Sequence, residues 1–271
     1  MKTKSISRNK RVRKIDFYGL IIPALILTIW YLVTANGTVA PYLLPSPERL
    51  GRVAIDFALG NWQFTPYAGS LLEHAAASSL RVMRGFLLAA CLGLSLGLLS
   101  GRFQIMKRIF DPTVNLIRAI PGIGWLPLAM VWFGVGEKTT LFLISLAAFF
   151  PIFINAVQGA ANVPPLYLRA GMMLGANRLT LFTTVILPAA LPSLVAGLRL
   201  GLGISWAYVV LGELTGVNSG LGAVMMDARM LGHVDIVMVT MIYIAILGWL
   251  SDRILLGILR LCRLSRNGEI K

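Results

Sequence analysis

The chain of 271 residues is 57% hydrophobic and 13% charged, with a mean hydropathy of +0.77, which is more apolar surface than a soluble globule of this size needs to bury. That balance argues against a soluble single-core protein and predicts a polytopic membrane protein. The net charge of +14 sits at the ends of apolar runs, not in a patch with aromatics between the cations, so nucleic acid is not an expected partner.

An α-helix needs about 20 apolar residues to cross the hydrocarbon core. Runs of that order, bounded by charges, predict six spans: 17–35, 75–99, 112–133, 139–160, 189–212 and 234–259. The fold class expected is all-α and integral to the membrane, a single membrane domain over 1–271. The first run follows MKTKSISRNKRVRK, with Lys2, Lys4, Arg8, Lys10, Arg11, Arg13 and Lys14. Its length, and the want of a small-residue cleavage site, favour an uncleaved anchor over a signal peptide. The positive-inside bias places this end in the cytoplasm, and an even number of spans returns the C-terminus there. Arg102, Lys107 and Arg108, then Arg169 and Arg178, then Arg260, Arg263, Arg266 and Lys271 fall on that same side. Among the connecting loops, only Arg49, Arg52, Lys138 and Arg229 fall on the other.

Between the first two spans, LLPSPERLGRVAIDFALGNW opens on the rigid Pro45 and Pro47 and continues as an amphipathic stretch, expected to lie along the outer interface. Arg81 and Arg84, early in the second span, are expected to reach that interface as well. Glycines 93, 97 and 101, and again 197 and 201 in the fifth span, recur every fourth residue, which puts them on one helix face and permits close backbone approach within one subunit or between two.

The third span contains IRAIPGIGWLPLAMVWFGVGEKT, from Ile117 to Thr139. Pro121 and Pro127 each remove an internal hydrogen bond, so the span is expected to be kinked or interrupted. Irregular backbone at membrane depth survives only inside protein or beside a water-filled cavity, so these prolines mark either a candidate pathway or a device of helix packing. GVGEKTT at its end is not a phosphate-binding loop, because Glu137 separates glycine from lysine, and no ATP site is expected.

After the fourth span, residues 161–188 form a loop containing RAGMMLGANRLTLFTTVILP. Pro164 and Pro165 can open a helix, Gly175 can end it in a left-handed conformation, and Asn177 offers a side-chain cap to a second segment that Pro188 limits. Within the spans themselves, Arg118, Arg199 and Glu213 are costly charges that need partners, water or an interface. Arg118 lies near the inner end, Arg199 deeper in the fifth span, and Glu213 near the outer end. For an anionic substrate Arg199 is the stronger candidate, with an ion pair holding the fold as the alternative. The glycine-rich outer stretch 212–235 is expected to dip back or lie flat. In it His233 and Asp235 read as a solvated pair, since no further ligand types cluster with them. Cys91 and Cys262, far apart in apolar surroundings, read as packing residues, and neither a metal nor a cofactor is expected. HExxH and Cys/His clusters are missing from the sequence, so no enzymatic machinery is expected.

The loop resembles the cytoplasmic loop of the permease subunits of ABC importers, whose pattern is E-A-A, three residues, G, nine residues, I-x-L-P. Ala170, Gly171, Gly175, Val185, Leu187 and Pro188 fall in register. Two departures are Arg169, where the family has an acidic residue, and Gly171 for the second alanine. The segment PGIGWLPLAMVWFGVGE is similar to the P-x-x-x-x-L-P-L-x-x-x-W-F-G-x-G-E run of the sulfonate, taurine and nitrate branch, to whose outer region LPSP also corresponds. The resemblance extends over about 40–260, and the transmembrane domain it implies over about 75–260. It implies a type I ABC importer permease with cytoplasmic coupling helices in a bacterial inner membrane. It also implies an ATPase partner docked on Arg169, Ala170, Gly171, Gly175, Ala176, Asn177, Val185, Leu187 and Pro188. An external substrate-binding protein and a second permease subunit, expected to be identical, complete the assembly around a small anion. Arg118, Pro121, Pro127, Arg199 and Glu213 are the candidate pathway residues. The rival from another class, an ion-coupled secondary transporter, needs paired carboxylates or broken helices in two related halves, and no such repeat is seen.

Overall fold

A computed structural model describes residues 18–268. The basic residues from Lys2 to Lys14, Lys271, and the side chains of Cys262, Arg263 and Arg266 lie outside the described residues. Three long helices form the core: α3 (Leu71–Arg102), α6 (Glu137–Ala161) and α9 (Leu187–Glu213), with α6 between the other two. The glycine repeat explains how closely they approach. A Cβ at Gly97 would stand 2.6 Å from the Ala156 Cβ and 2.7 Å from the Phe153 carbonyl, and one at Gly201 would stand 2.8 Å from Ile152. Both glycine series therefore pack against α6 within one chain, which settles the alternative the sequence left open. Val82, Phe86, Ile144, Ile152, Leu202 and Trp206 fill the space between the three helices.

α11 (Val234–Gly268) lies beside α9, while α1 (Tyr18–Ala35) exposes nearly all its apolar side chains and is fastened at one end, where Trp30 Nε1 donates to the Pro45 carbonyl at 3.1 Å. Four helices, those carrying the second, fourth, fifth and sixth predicted spans, are long and apolar enough to cross a membrane. The first predicted span falls on α1, of whose described residues Ile21–Ala35 form an apolar stretch shorter than those four. The third departs most from expectation. Its first part belongs to an amphipathic helix, α4 (Gln104–Ala119), and the rest forms a 3-10 turn (Gly122–Trp125) and α5 (Leu126–Phe133), at 88° to α4.

That bend has a local cause. Pro121 disfavours the α region for the preceding residue, and Ile120 accordingly sits at ψ 120 and Pro121 itself at ψ 132, so two consecutive extended residues redirect the chain. Residues 122–133 are then only about 20 Å long, short of a full crossing. Gly134 and Gly136, at φ 75 and 125, reverse the chain into α6.

At the end of the bundle where α3 begins, α2 (Pro47–Leu59) and α10 (Leu221–Met230) pack on α11 through Leu50, Val53, Phe57, Leu221, Val224 and Ile236. α2 starts as its sequence dictates, with Ser46 capping, Pro47 in the first turn, and Gly60 closing it at φ 71. The expected surface helix is thus half buried against protein, and the outer stretch around LGAVMM is a short helix.

Candidate translocation pathway and docking loop

At the opposite end, the chain between α6 and α9 builds the loop that the motif marks. α7 (Pro165–Met173) opens on Pro164 and Pro165 and closes at Gly175, whose φ is +78. The Gly175 amide donates to the Met172 carbonyl at 3.0 Å, and the Ala176 amide to the Gly171 carbonyl at 3.0 Å, the paired bonds of a Schellman motif. Asn177 Oδ1 accepts from the Thr180 amide at 2.8 Å and caps α8 (Arg178–Leu181). The two short helices are held to each other by the side chain of Leu181, which is buried beneath Gly171. A Cβ at Gly171 would stand 2.5 Å from Leu181 Cδ2, which gives a packing reason for glycine where the resembled pattern has alanine. Below them Val163, Ile186 and Ala160 form a small core.

Pro188 does not end the second segment, contrary to expectation. A π turn (Phe182–Ile186) joins α8 to α9 without a break, and the Leu187 amide reaches back to the Phe182 carbonyl. This wider register absorbs the amide that Pro188 lacks. Val185, Leu187 and Pro188 are half-buried at this joint, whereas Arg169, Ala170 and Asn177 are exposed. The tip of the loop turns apolar groups outwards: Met173 is 90% exposed and Leu174 88%, with Leu166 and Leu179 beside them. Arg169 has no ion-pair partner among the described residues.

Arg118 and Pro121 come together at a cavity of about 420 Å³ between the bend, α6 and α9, whose wall also includes Gly122, Phe150, Pro151 and Tyr208. Pro127 lies in the first turn of α5 and does not line it. A Cβ at Gly122 would overlap the Tyr208 hydroxyl, so only glycine admits this approach of the bend to α9.

Arg199 is elsewhere. On the α11 side of α9, it forms a bidentate pair with Asp252, Nε to Oδ1 at 2.7 Å and Nη2 to Oδ2 at 2.8 Å, both partners being partly exposed. Glu213, 1% exposed, lies at the far end of α9 in a polar cluster. It accepts from Ser78 Oγ at 2.8 Å, from Arg81 Nη1 at 2.8 Å and from the Gly222 amide at 2.8 Å. The five pathway candidates thus divide among different parts of the bundle.

Arg81 corrects an expectation: it is 6% exposed and turned inwards, because Glu213 and the Ser219 carbonyl, 2.6 Å from Nη1, offer it partners that the interface position does not. Arg84 does stay exposed, near Glu137 at 3.5 Å. Asp235 also differs from the solvated pair expected. It is buried, bonded to Arg49 Nε at 3.0 Å and Nη2 at 2.8 Å, and caps its own helix through the Ile236 amide.

Sequence reasoning passed over Asp252, a carboxylate inside the sixth apolar run, whose presence there was itself the signal of a partner for Arg199. Tyr208 carried no signal, being one aromatic among many. Asp56, fully buried, collects the amides of Trp62, Gln63 and Phe64 at 2.7, 3.0 and 2.8 Å and shapes the turn after α2.

An all-helical, multi-pass membrane bundle with a broken helix over a cavity, and with an exposed two-helix loop joined directly to a spanning helix, has the build of the membrane subunit of a transporter. Residues 91–261 match the family described as the binding-protein-dependent transport system inner membrane component, and the chain belongs to that family. It is 36% identical to SsuC of Bacillus subtilis, named for aliphatic sulfonates transport, over 86% of this chain and 82% of that one. With the taurine transport system permease protein TauC of Escherichia coli it shares 35% identity over 84% and 82%. The nitrate import permease protein NrtB of a Synechocystis strain is 35% identical over 65% and 64%. In fold it is similar to a chain of the MetNI methionine ABC transporter, with a TM-score of 0.53 at 22% identity, covering 69% of this chain and 93% of that one. The chain is therefore an ABC importer permease, similar over most of its length to permeases named for sulfonate, taurine and nitrate transport. It is not an enzyme: ATP hydrolysis falls to a separate subunit, and a substrate-binding protein is its other partner.

Proposed function

We propose that the chain, paired with a second identical copy, forms the translocation pathway for a small anion, an aliphatic sulfonate, taurine or nitrate. In this reading the α7 end and both termini are cytoplasmic, and residues 161–188 dock on the ATPase. The transmembrane domain proper covers about 75–260, and the bend at Arg118 and Pro121 borders the pathway. The observation that carries the reading is the loop itself. Its backbone is fixed at Gly175 and Asn177, its tip exposes Met173 and Leu174, and it runs without interruption into α9. An exposed apolar tip on a fixed backbone is a surface made for a partner, and its junction with a spanning helix lets that partner act on the bundle.

The charge distribution supports the orientation, since Arg102, Lys107, Arg108, Arg169 and Arg178 belong to the end that carries α7. The names of the relatives support an anion as cargo. The test is ATP-dependent uptake in vesicles holding this chain, its ATPase and its binding protein, with alkanesulfonates, taurine and nitrate offered in turn. Gly175→Pro removes the amide bonded to Met172 and imposes a negative φ, so it should abolish uptake while the complex still assembles. Uptake by the chain alone, without ATPase, would overturn the reading in favour of an ion-coupled carrier.

A further inference from the structure

Two polar groups at the bend have no partner among the described residues. The Arg118 guanidinium makes neither an ion pair nor a hydrogen bond among the described residues, and the Tyr208 hydroxyl makes no hydrogen bond among them either. Both line the same cavity of about 420 Å³, in which no acidic side chain takes part. The rest of the wall is apolar, with Leu146, Phe150 and Ile204 facing the same space, and Gly122 brings the bend close against the Tyr208 ring. One cation and one hydroxyl set into an otherwise apolar cavity of this size match a ligand with a single anionic head and a hydrocarbon tail. A bare, fully hydrated anion gains nothing from the apolar wall and loses its water there.

We propose that this cavity is a transit site for organosulfonates, in which Arg118 and the Tyr208 hydroxyl hold the sulfonate oxygens and Leu146, Phe150 and Ile204 cover the tail. Tyr208 is then a specificity-determining residue of the permease itself, acting after the binding protein has released its cargo. The inference rests on the reading of the chain as an anion permease and narrows the cargo to anions with an apolar part. The guanidinium and the hydroxyl can each meet a separate oxygen of a tetrahedral head group, and nitrate offers no tail for the remaining wall.

The assay is titration of the purified permease and ATPase complex, without binding protein, with methanesulfonate, propanesulfonate, pentanesulfonate and nitrate. The Kd should fall about fourfold for each methylene added between the first and the last sulfonate, the ratio that burial of one methylene gives. Arg118→Gln should weaken every sulfonate by about tenfold or more, and Tyr208→Phe by a few-fold with the dependence on chain length unchanged. Arg118 is exposed, so its substitution spares the core, and a far-ultraviolet spectrum together with the elution volume of the assembled complex checks each variant's fold. Equal Kd values along the series, nitrate binding as tightly as pentanesulfonate, or an unchanged Kd in Arg118→Gln would each overturn the proposal. ATP-driven uptake that persists alongside such a result leaves the permease reading standing, whereas loss of ATP dependence in the vesicles strikes that reading instead.

Discussion

The two ends of the hairpin formed by α6 and α9 are built on opposite plans. At the α10 end, charged groups are buried and paired: Glu213 receives Arg81, Ser78 and the Gly222 amide, so α3, α9 and α10 are tied by side chains from distant parts of the sequence. At the α7 end, the polar work is done by backbone and short-range caps, and the side chains left over are apolar and exposed, Met173 and Leu174 above all. One end closes on itself, while the other keeps its shape without spending its surface. Buried polar contacts and exposed apolar side chains are thus placed at opposite ends of one helix pair, and the open end is the one proposed to receive a partner.

Substitutions can break this contrast or sharpen it. The largest effect is expected from Glu213→Ala, which leaves Arg81 buried without its carboxylate and should cost about 3–5 kcal/mol, seen as a lower unfolding temperature of the purified protein. Replacing both Arg81 and Glu213 by leucine should recover much of that loss. Equal destabilisation by the double and single variants would mean that the pair matters for something other than an uncompensated charge. Gly97→Val comes next. It forces two atoms beyond the Cβ into the contact with Ala156 and the Phe153 carbonyl, and about 1–3 kcal/mol of overpacking is expected, or failure to insert. Asn177→Ala should have the smallest effect on stability, about 1 kcal/mol and confined to the start of α8. Its signature lies elsewhere: the unfolding temperature of the bundle should hold, while substrate uptake per ATP hydrolysed drops. An Asn177→Ala protein with full coupling and lowered global stability would erase the distinction between the two ends.

The loop was readable from sequence because its determinants are local. Pro165, Gly175 and Asn177 act on backbone within a few residues of themselves, and the structure places each in the role its chemistry suggests. The four long spanning helices were readable for a similar reason, since apolar length alone decides them. The third span was not, because the apolar run that begins at Pro112 cuts through α4, whose hydrophobic residues recur with the period of an amphipathic helix from Gln104 onward. The prolines foretold an interruption, but the angle comes from Ile120 and Pro121 being extended together, and that is a conformational fact with no compositional trace.

Arg81, Asp235 and Arg199 depended on carboxylates or cations far away in the sequence, 132 residues in the case of Arg81 and Glu213. A charge in an apolar run announces that a partner exists without saying where. The Arg199 pair could have been suspected, since Asp252 is the complementary charge within the sixth run. The cavity was half legible: Pro121 and Arg118 pointed to the place, while Tyr208 and Gly122 became visible only when α9 was laid against the bend.

The π turn at Phe182–Ile186 has a mechanical consequence. By keeping α8 and α9 continuous it makes a single rod from Arg178 to Glu213, 36 residues long and so about 54 Å from tip to tip. Such a rod is a lever longer than the membrane is thick. A rocking of about 5° about the π turn carries the far end of α9, 27 residues away, through about 3.5 Å. That extremity is not loose, for it is riveted through Glu213 to Arg81 and to the amide of Gly222. If the loop docks as proposed, a push on the short arm reaches the far side of the bundle at Glu213, the side chain through which α9 holds α3 and α10.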